Sequence, residues 1–258
     1  MVNQPGGNTE TLPSTENQRG ASRRTGSLQG VLWDMDGTIV DTEPYWITAE
    51  KDLVEAHGGT WTTGQAASLV GQALEYSAGQ LQKAGVSLDV SSIIDHLTQR
   101  VARDVRRSVP WRPGARELLS ALQLEGIPCA MVTMSETLLA GEIAAQLPDG
   151  TFSHLVTGDR VSVGKPDPEA YELGFALLAA DNPGLRKESV IAIEDSLPGV
   201  TSALAAGLTT VAVPHFVPLP PDDRRVDWAT LVDRTPADLA SLLPVGGDQR
   251  SGAGRARG

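Results

Sequence analysis

Gly30-Val31-Leu32-Trp33-Asp34-Met35-Asp36-Gly37-Thr38 is the stretch on which the reading of this chain turns. Apolar residues run without a break into two aspartates, and a glycine follows at once. The apolar run has the length of a buried strand, and the glycine lets the chain turn where the strand ends. In extended chain, residues two apart project to the same side, so Asp34 and Asp36 can serve one reaction centre. Two carboxylates brought together suit two jobs: one attacks or binds metal, and the other moves a proton. An Asp-x-Asp-Gly-Thr string has odds on the order of 1 in 100,000 at a random position. An acidic loop of no consequence is therefore the weaker reading.

Working outward, further apolar runs also stop at polar clusters. Residues 129–132 run into Thr133, residues 190–193 into Glu194 and Asp195, and residues 210–213 are stopped by Pro214. A weaker candidate covers 154–157. Helical spacing separates them over 115–124, 137–147, 168–180 and 198–206, the last ending at Gly207. Strands alternating with helices predict an α/β fold, a Rossmann-like three-layer core with a parallel sheet covered on both faces. In such sheets the site lies beyond the carboxyl ends of the strands, where these polar clusters fall.

One stretch breaks the alternation. From 43 to 108 the pattern is helical with no clear strand, with candidates at 45–56, 63–70, 75–84 and 91–107. Inserted directly after the first strand's loop, it reads as an all-helical cap over the site. The division expected is a core of 28–42 and 109–244, a cap of 43–108, and two Gly- and Ser-rich tails, 1–27 and 245–258. Composition reads the tails as disordered and without function.

The string from Asp34 through Pro44 resembles the first motif of the haloacid dehalogenase superfamily, in the branch of beta-phosphoglucomutase and small sugar-phosphate phosphatases. Further motifs follow in order. Val132-Thr133 is similar to the second, Gly164-Lys165-Pro166-Asp167-Pro168 to the third, and Ile193-Glu194-Asp195-Ser196 with Gly199 to the fourth. Taken singly, Lys165 reads as a surface lysine and Glu194-Asp195 as a helix N-terminal acidic pair; their order and their strand ends reverse that. The resemblance implies a magnesium-dependent phosphatase acting on a small phosphate monoester, a sugar or polyol phosphate, through an aspartyl-phosphate on Asp34. Asp36 would protonate the leaving alcohol and then activate water. Mg2+ would be held by Asp34, the Asp36 carbonyl and Asp195, with Glu194 bound directly or through water. Lys165 and Thr133 would hold the phosphoryl oxygens, joined by amides of Met35, Asp36 and Ser135. Glu43 and Trp46 are expected against the leaving group.

Asp36 itself separates branches of the family: relatives that dehalogenate lack the second aspartate, and those that hydrolyse phosphonates carry Ala there. The rival enzyme is a sugar-phosphate mutase. Those relatives carry His where this chain has Trp46, and a cap Arg at a position that aligns with Leu74. Both departures favour the phosphatase. Met134 departs from the second motif's usual small residue or Asn, which bears on substrate contacts. A non-catalytic phosphate- and metal-binding regulator is the third reading, and it would ordinarily have lost the nucleophile or the metal aspartates.

A net charge of −11 opposes nucleic acid and anionic membrane surfaces as partners. No apolar run reaches the roughly 18 residues of a spanning helix, and the first 27 residues lack the apolar stretch of a secretory signal. The chain is accordingly expected in the cytoplasm, acting on a small phosphorylated metabolite, as a monomer by default with a dimer left open. The single cysteine, Cys129, excludes an internal disulfide and reads as a small buried side chain. The four histidines (His57, His96, His154 and His215) fit no metal-ligand spacing.

Overall fold

The computed structural model describes residue 1 and residues 27–244. The expectations for the two tails, apart from Met1 and Ser27, lie outside the described residues.

Strands β1 (Gly30–Trp33), β2 (Cys129–Val132), β3 (His154–Val156), β4 (Val190–Glu194), β5 (Thr209–Ala212) and β6 (Val226–Asp227) form one sheet. Its order is β3-β2-β1-β4-β5-β6 and every pairing is parallel. The chain steps from β1 through β2 to β3 on one side, then returns to place β4 on the other side of β1. That reversal opens a crevice at the carboxyl end of β1, the place where ligands enter such sheets.

The strands are apolar at successive residues because both faces are covered. Val31 and Trp33, Cys129 and Met131, and Ile191 and Ile193 point into one apolar layer. Leu32, Ala130, Val132 and Ala192 point into the other. Helices α5 (Ala115–Leu124) and α6 (Thr137–Ala144), with the short α9 (Pro236–Ala240), cover the first face. Helices α7 (Glu169–Asp181) and α8 (Leu197–Ala205) cover the second. Val31, Leu32 and Trp33 are wholly buried, and each such side chain stabilises by about 1.5–3 kcal/mol relative to exposure.

Between β1 and β2 lie four helices: α1 (Glu43–Ala56), α2 (Thr63–Ala67), α3 (Leu74–Lys83) and α4 (Val90–Arg107). Their bounds follow local chemistry. Pro44 suits the first turn of α1, a Thr62–Gln65 capping box opens α2, and the Asp89 carboxylate accepts the Ser92 amide at the start of α4. The long α4 buries Ile93, Ile94, Leu97, Val101 and Val105 on one stripe. It packs on α1, α3 and α6, and an Arg106–Glu142 ion pair of 2.5 Å ties it to α6. The apolar layer under the first sheet face runs on without interruption into these helices. Among the described residues no helix is long and apolar enough to cross a membrane.

Candidate active site

The carboxyl ends of β1, β2 and β4 converge on one cavity lined by Asp34, Asp36, Thr133, Met134, Ser135, Lys165, Asp195 and Ser196. Asp34 follows β1 directly, and its amide donates to the Ile193 carbonyl at 3.0 Å, which locks it beside the end of β4. Gly37 has φ +88°, and a Cβ there would stand 2.1 Å from Asp195 Oδ2. The glycine that turns the chain after β1 thus also makes room for the acid from β4.

Lys165 reaches into the cluster from the loop before α7. Its ammonium donates to Asp34 Oδ1 at 2.8 Å, Glu194 Oε1 at 2.6 Å and the Val132 carbonyl at 2.9 Å. All three N–H groups are used. Burial would make it a weaker cation, but the flanking Asp34 and Glu194 carboxylates more than offset that and raise its pKa. Asp34 is pushed up to about 7, first by burial and then by Glu194, against the pull of Lys165. Asp195 is driven well above the usual carboxylate range, again by burial first and then by Asp34 and Glu194. One ammonium therefore faces three buried carboxylates, and charge remains uncompensated.

Asp34, Glu194 and Asp195 bring one oxygen each within 4.8 Å of one another. Asp34 Oδ2 is buried and has no hydrogen-bond partner, an arrangement that costs free energy unless something fills it. An all-oxygen, net-acidic donor set of this kind fits a hard divalent cation.

Glu194 is the acid with least left to offer. Oε1 also accepts the Tyr171 hydroxyl at 2.7 Å, and Oε2 accepts the Asp195 and Ser196 amides at 3.2 and 3.5 Å. It fits only because Gly199 lacks a side chain: a Cβ there would sit 2.0 Å from the carboxylate.

Asp36 is gripped at both oxygens. Oδ1 accepts from the Thr42 hydroxyl and from Trp46 Nε1 at 3.4 Å. Oδ2 accepts from Thr133 Oγ1 at 3.1 Å and Ser135 Oγ at 2.7 Å. Here the structure differs from the sequence expectation. The Thr133 hydroxyl is on Asp36, and the Ser135 amide donates to Thr133 Oγ1 at 3.0 Å rather than standing open. The reason is local: the turn after β2 folds Ser135 back over Thr133. Among the described residues, no backbone acceptor meets the Met35 and Asp36 amides.

Above the strand ends the cavity is walled by the helical segment, with Glu43, Trp46, Glu50, Leu69, Val70, Gly71, Gln72, Leu74 and Ser77. Glu43 and Trp46 both line this wall. Glu43 is pushed up to about 8 by burial and then by Asp36. No histidine lines this cavity, and His154 and His215 pair with Asp181 and Asp41. Cys129 is buried and its thiol is pushed up to about 12 by burial, so no thiolate forms near neutral pH.

Tyr171, Thr42 and Glu50 were not singled out by the sequence. Tyr171 lies on the buried stripe of α7, and its hydroxyl reaches Glu194. Glu50 carried a signal, since it falls on the inward stripe of α1 with Trp46 and Leu53.

A doubly covered parallel sheet whose central strands end in clustered acids around one lysine makes an α/β domain with a carboxylate centre at its strand ends. The chain belongs to the haloacid dehalogenase-like hydrolase family, whose model matches residues 28–207. It is 33% identical over 188 residues to hexitol phosphatase A of Escherichia coli, covering 72% of this chain and 82% of that one. It is 29% identical over 189 residues to a phosphorylated carbohydrates phosphatase of Thermotoga maritima, covering 71% and 84%. Its fold matches CbbY of Rhodobacter sphaeroides, solved with xylulose-(1,5)bisphosphate, at a TM-score of 0.74 and 21% identity, covering 82% of this chain and 99% of that one.

Proposed function

We propose that this protein is a magnesium-dependent phosphatase that hydrolyses a small sugar or polyol phosphate through an aspartyl-phosphate on Asp34, beneath a helical cap formed by 43–108. The observation that carries it is the buried Asp34 carboxylate, fixed at one oxygen by Lys165 and set beside Glu194 and Asp195. A carboxylate oriented in this way is prepared to attack.

Asp34, Asp195 and the Asp36 main-chain carbonyl would hold Mg2+, with Glu194 behind them anchoring Lys165. Bound there, the cation would offset the phosphate's negative charge as the nucleophile approaches. Lys165 keeps Asp34 aimed and would bring its positive charge to the site the phosphoryl group enters. The Met35 and Asp36 amides donate to those oxygens.

In the first step an Asp34 oxygen forms a bond to phosphorus, the bond to the leaving alcohol breaks, and Asp36 gives that alcohol a proton. In the second, water attacks phosphorus, Asp36 takes the water's proton, and the Asp34–phosphorus bond breaks to restore the carboxylate. For this, Asp36 must release part of its hold on Thr133 and Ser135. The freed hydroxyls then become available to the phosphoryl group. Trp46 and Glu43, which line the cavity wall, would contact the leaving group.

A mutase would need a cation for a second phosphate, and Lys165 is the only cationic residue lining the cavity among the described residues. The test is phosphate release from a panel of phosphorylated metabolites with and without magnesium, for the wild type and Asp34→Asn. Magnesium-dependent release that the substitution abolishes is expected. Interconversion of hexose phosphates in place of release would favour the mutase, and silence from folded, magnesium-binding protein would favour the regulator.

A further inference from the structure

Glu50 is a buried acid of the cavity wall that the two chemical steps leave unused. It lies on α1 with 5% of its surface exposed, one turn beyond Trp46. Oε2 accepts the indole N–H of Trp61 at 3.2 Å. Among the described residues no cation meets it, and burial pushes its pKa up to about 7 against that one hydrogen bond. Among the described residues, the other oxygen, Oε1, accepts nothing. It is not among the sealed, partnerless atoms either, and Glu50 lines the same cavity as Asp34 and Asp36. Stability alone would place an apolar side chain here.

The surroundings indicate what Oε1 is for. The wall offers acids in Glu43 and Glu50, neutral polar groups in Gln72 and Ser77, and apolar surface in Trp46, Leu69 and Leu74. Lys165, the cavity's cation, is already spent on Asp34, Glu194 and Val132. A leaving group bearing a second anion would meet two acids here and find no free cation. One bearing hydroxyls would find acceptors, groups that both donate and accept, and an apolar face for its C–H bonds.

We propose that Glu50 is a specificity-determining residue, whose free carboxylate oxygen accepts a hydrogen bond from a hydroxyl on the alcohol portion of the substrate. Trp61 holds the carboxylate in place for that contact. The role rests on the phosphatase reading above, and it selects among phosphate esters without taking part in the chemistry.

Glu50→Gln tests it with little disturbance, because the amide oxygen still accepts from Trp61 while the inward acceptor becomes a donor. The readout is kcat/KM for glycerol 3-phosphate, 3-phosphoglycerate and phosphoethanolamine, each divided by that for propyl phosphate. The wild type is expected to favour glycerol 3-phosphate. In Glu50→Gln the glycerol 3-phosphate ratio falls by about tenfold, and the 3-phosphoglycerate ratio rises. Unchanged ratios, or equal losses on every ester, would overturn the role of Glu50 while leaving the phosphatase standing. A wild type that prefers phosphoethanolamine to glycerol 3-phosphate would overturn it too, by making the ligand an ammonium. A wild type silent on every ester, p-nitrophenyl phosphate included, would remove the phosphatase reading and this role with it.

Discussion

The strand ends and the helical wall face each other across one cavity, and they treat buried acids in opposite ways. At the strand ends Asp34 and Glu194 share Lys165, and Asp36 accepts from four side chains. In the wall Glu43 and Glu50 are pushed up to about 8 and about 7 with no cation against them. One side is a rigid network whose members hold each other at fixed positions. The other is a set of acceptors waiting for something from outside. On the proposed function, reaction belongs to the strand ends and selection to the wall.

Substitutions on the two sides should therefore differ in kind. The largest effect is expected for Asp34→Asn, which removes the proposed nucleophile and should lower kcat by about three orders of magnitude or more, with near-normal melting of the variant as the check on fold. Lys165→Met should come next, and it should damage the fold as well as the reaction. It leaves Asp34 and Glu194 buried without their cation, at a cost of about 3–5 kcal/mol read from urea unfolding of the magnesium-free protein. If Lys165→Met unfolds at the wild-type urea concentration, the strand-end network is not the rigid partner in the comparison.

The wall makes a smaller prediction with a definite sign. The raised pKa of Glu50 means that its protonated form is favoured by folding. That stability is present in full below its ordinary carboxylate range and is lost as pH rises through about 7. Glu50→Gln cannot ionise, so its melting temperature minus that of the wild type should increase from pH 5 to pH 9. A difference that stays flat would mean that Glu50 is solvated and the wall is not the dry acceptor described here. Smallest is Trp46→Phe, which keeps the ring and loses the 3.4 Å donation to Asp36. A hydrogen bond to a carboxylate is worth about 1.5–3 kcal/mol at good geometry, and the 3.4 Å length puts this one toward the low end. The loss should appear mainly in kcat if it positions Asp36, and mainly in KM if the ring only packs the leaving group.

The same division explains what the sequence made legible. Strand ends announce themselves, because an unbroken apolar run must stop where its first polar residue meets solvent or a site. β1 and β2 fall where the apolar runs place them, and β4 extends one residue further to include Glu194. Asp34, Asp36 and Asp195 were legible for that reason and Lys165 through its motif before a helix, and all four line one cavity. β6 was not, because two residues at a sheet edge carry no periodicity. α9 was missed although its Thr235–Asp238 capping box and Pro236 were readable. In the helical segment the elements were legible but their contacts were not. Helical spacing gives the stripe that holds Trp46, Glu50 and Leu53, but only the fold shows that the stripe also faces Trp61 and the cavity. Hydroxyl partners such as Thr42 and Tyr171 were invisible for a related reason: a single side-chain hydrogen bond across the fold leaves no pattern along the chain.

The covalent role of Asp34 is the claim on which the rest depends, and it can be tested directly. Wild-type protein turning over a radiolabelled phosphate monoester with magnesium would be quenched in acid within one turnover, digested, and the label located by peptide mass spectrometry. The account predicts a transient phosphoryl group on the peptide carrying Asp34, absent without magnesium and absent in Asp34→Asn. Steady phosphate release with no label on that peptide at any time, and undiminished release from Asp34→Asn, would contradict it.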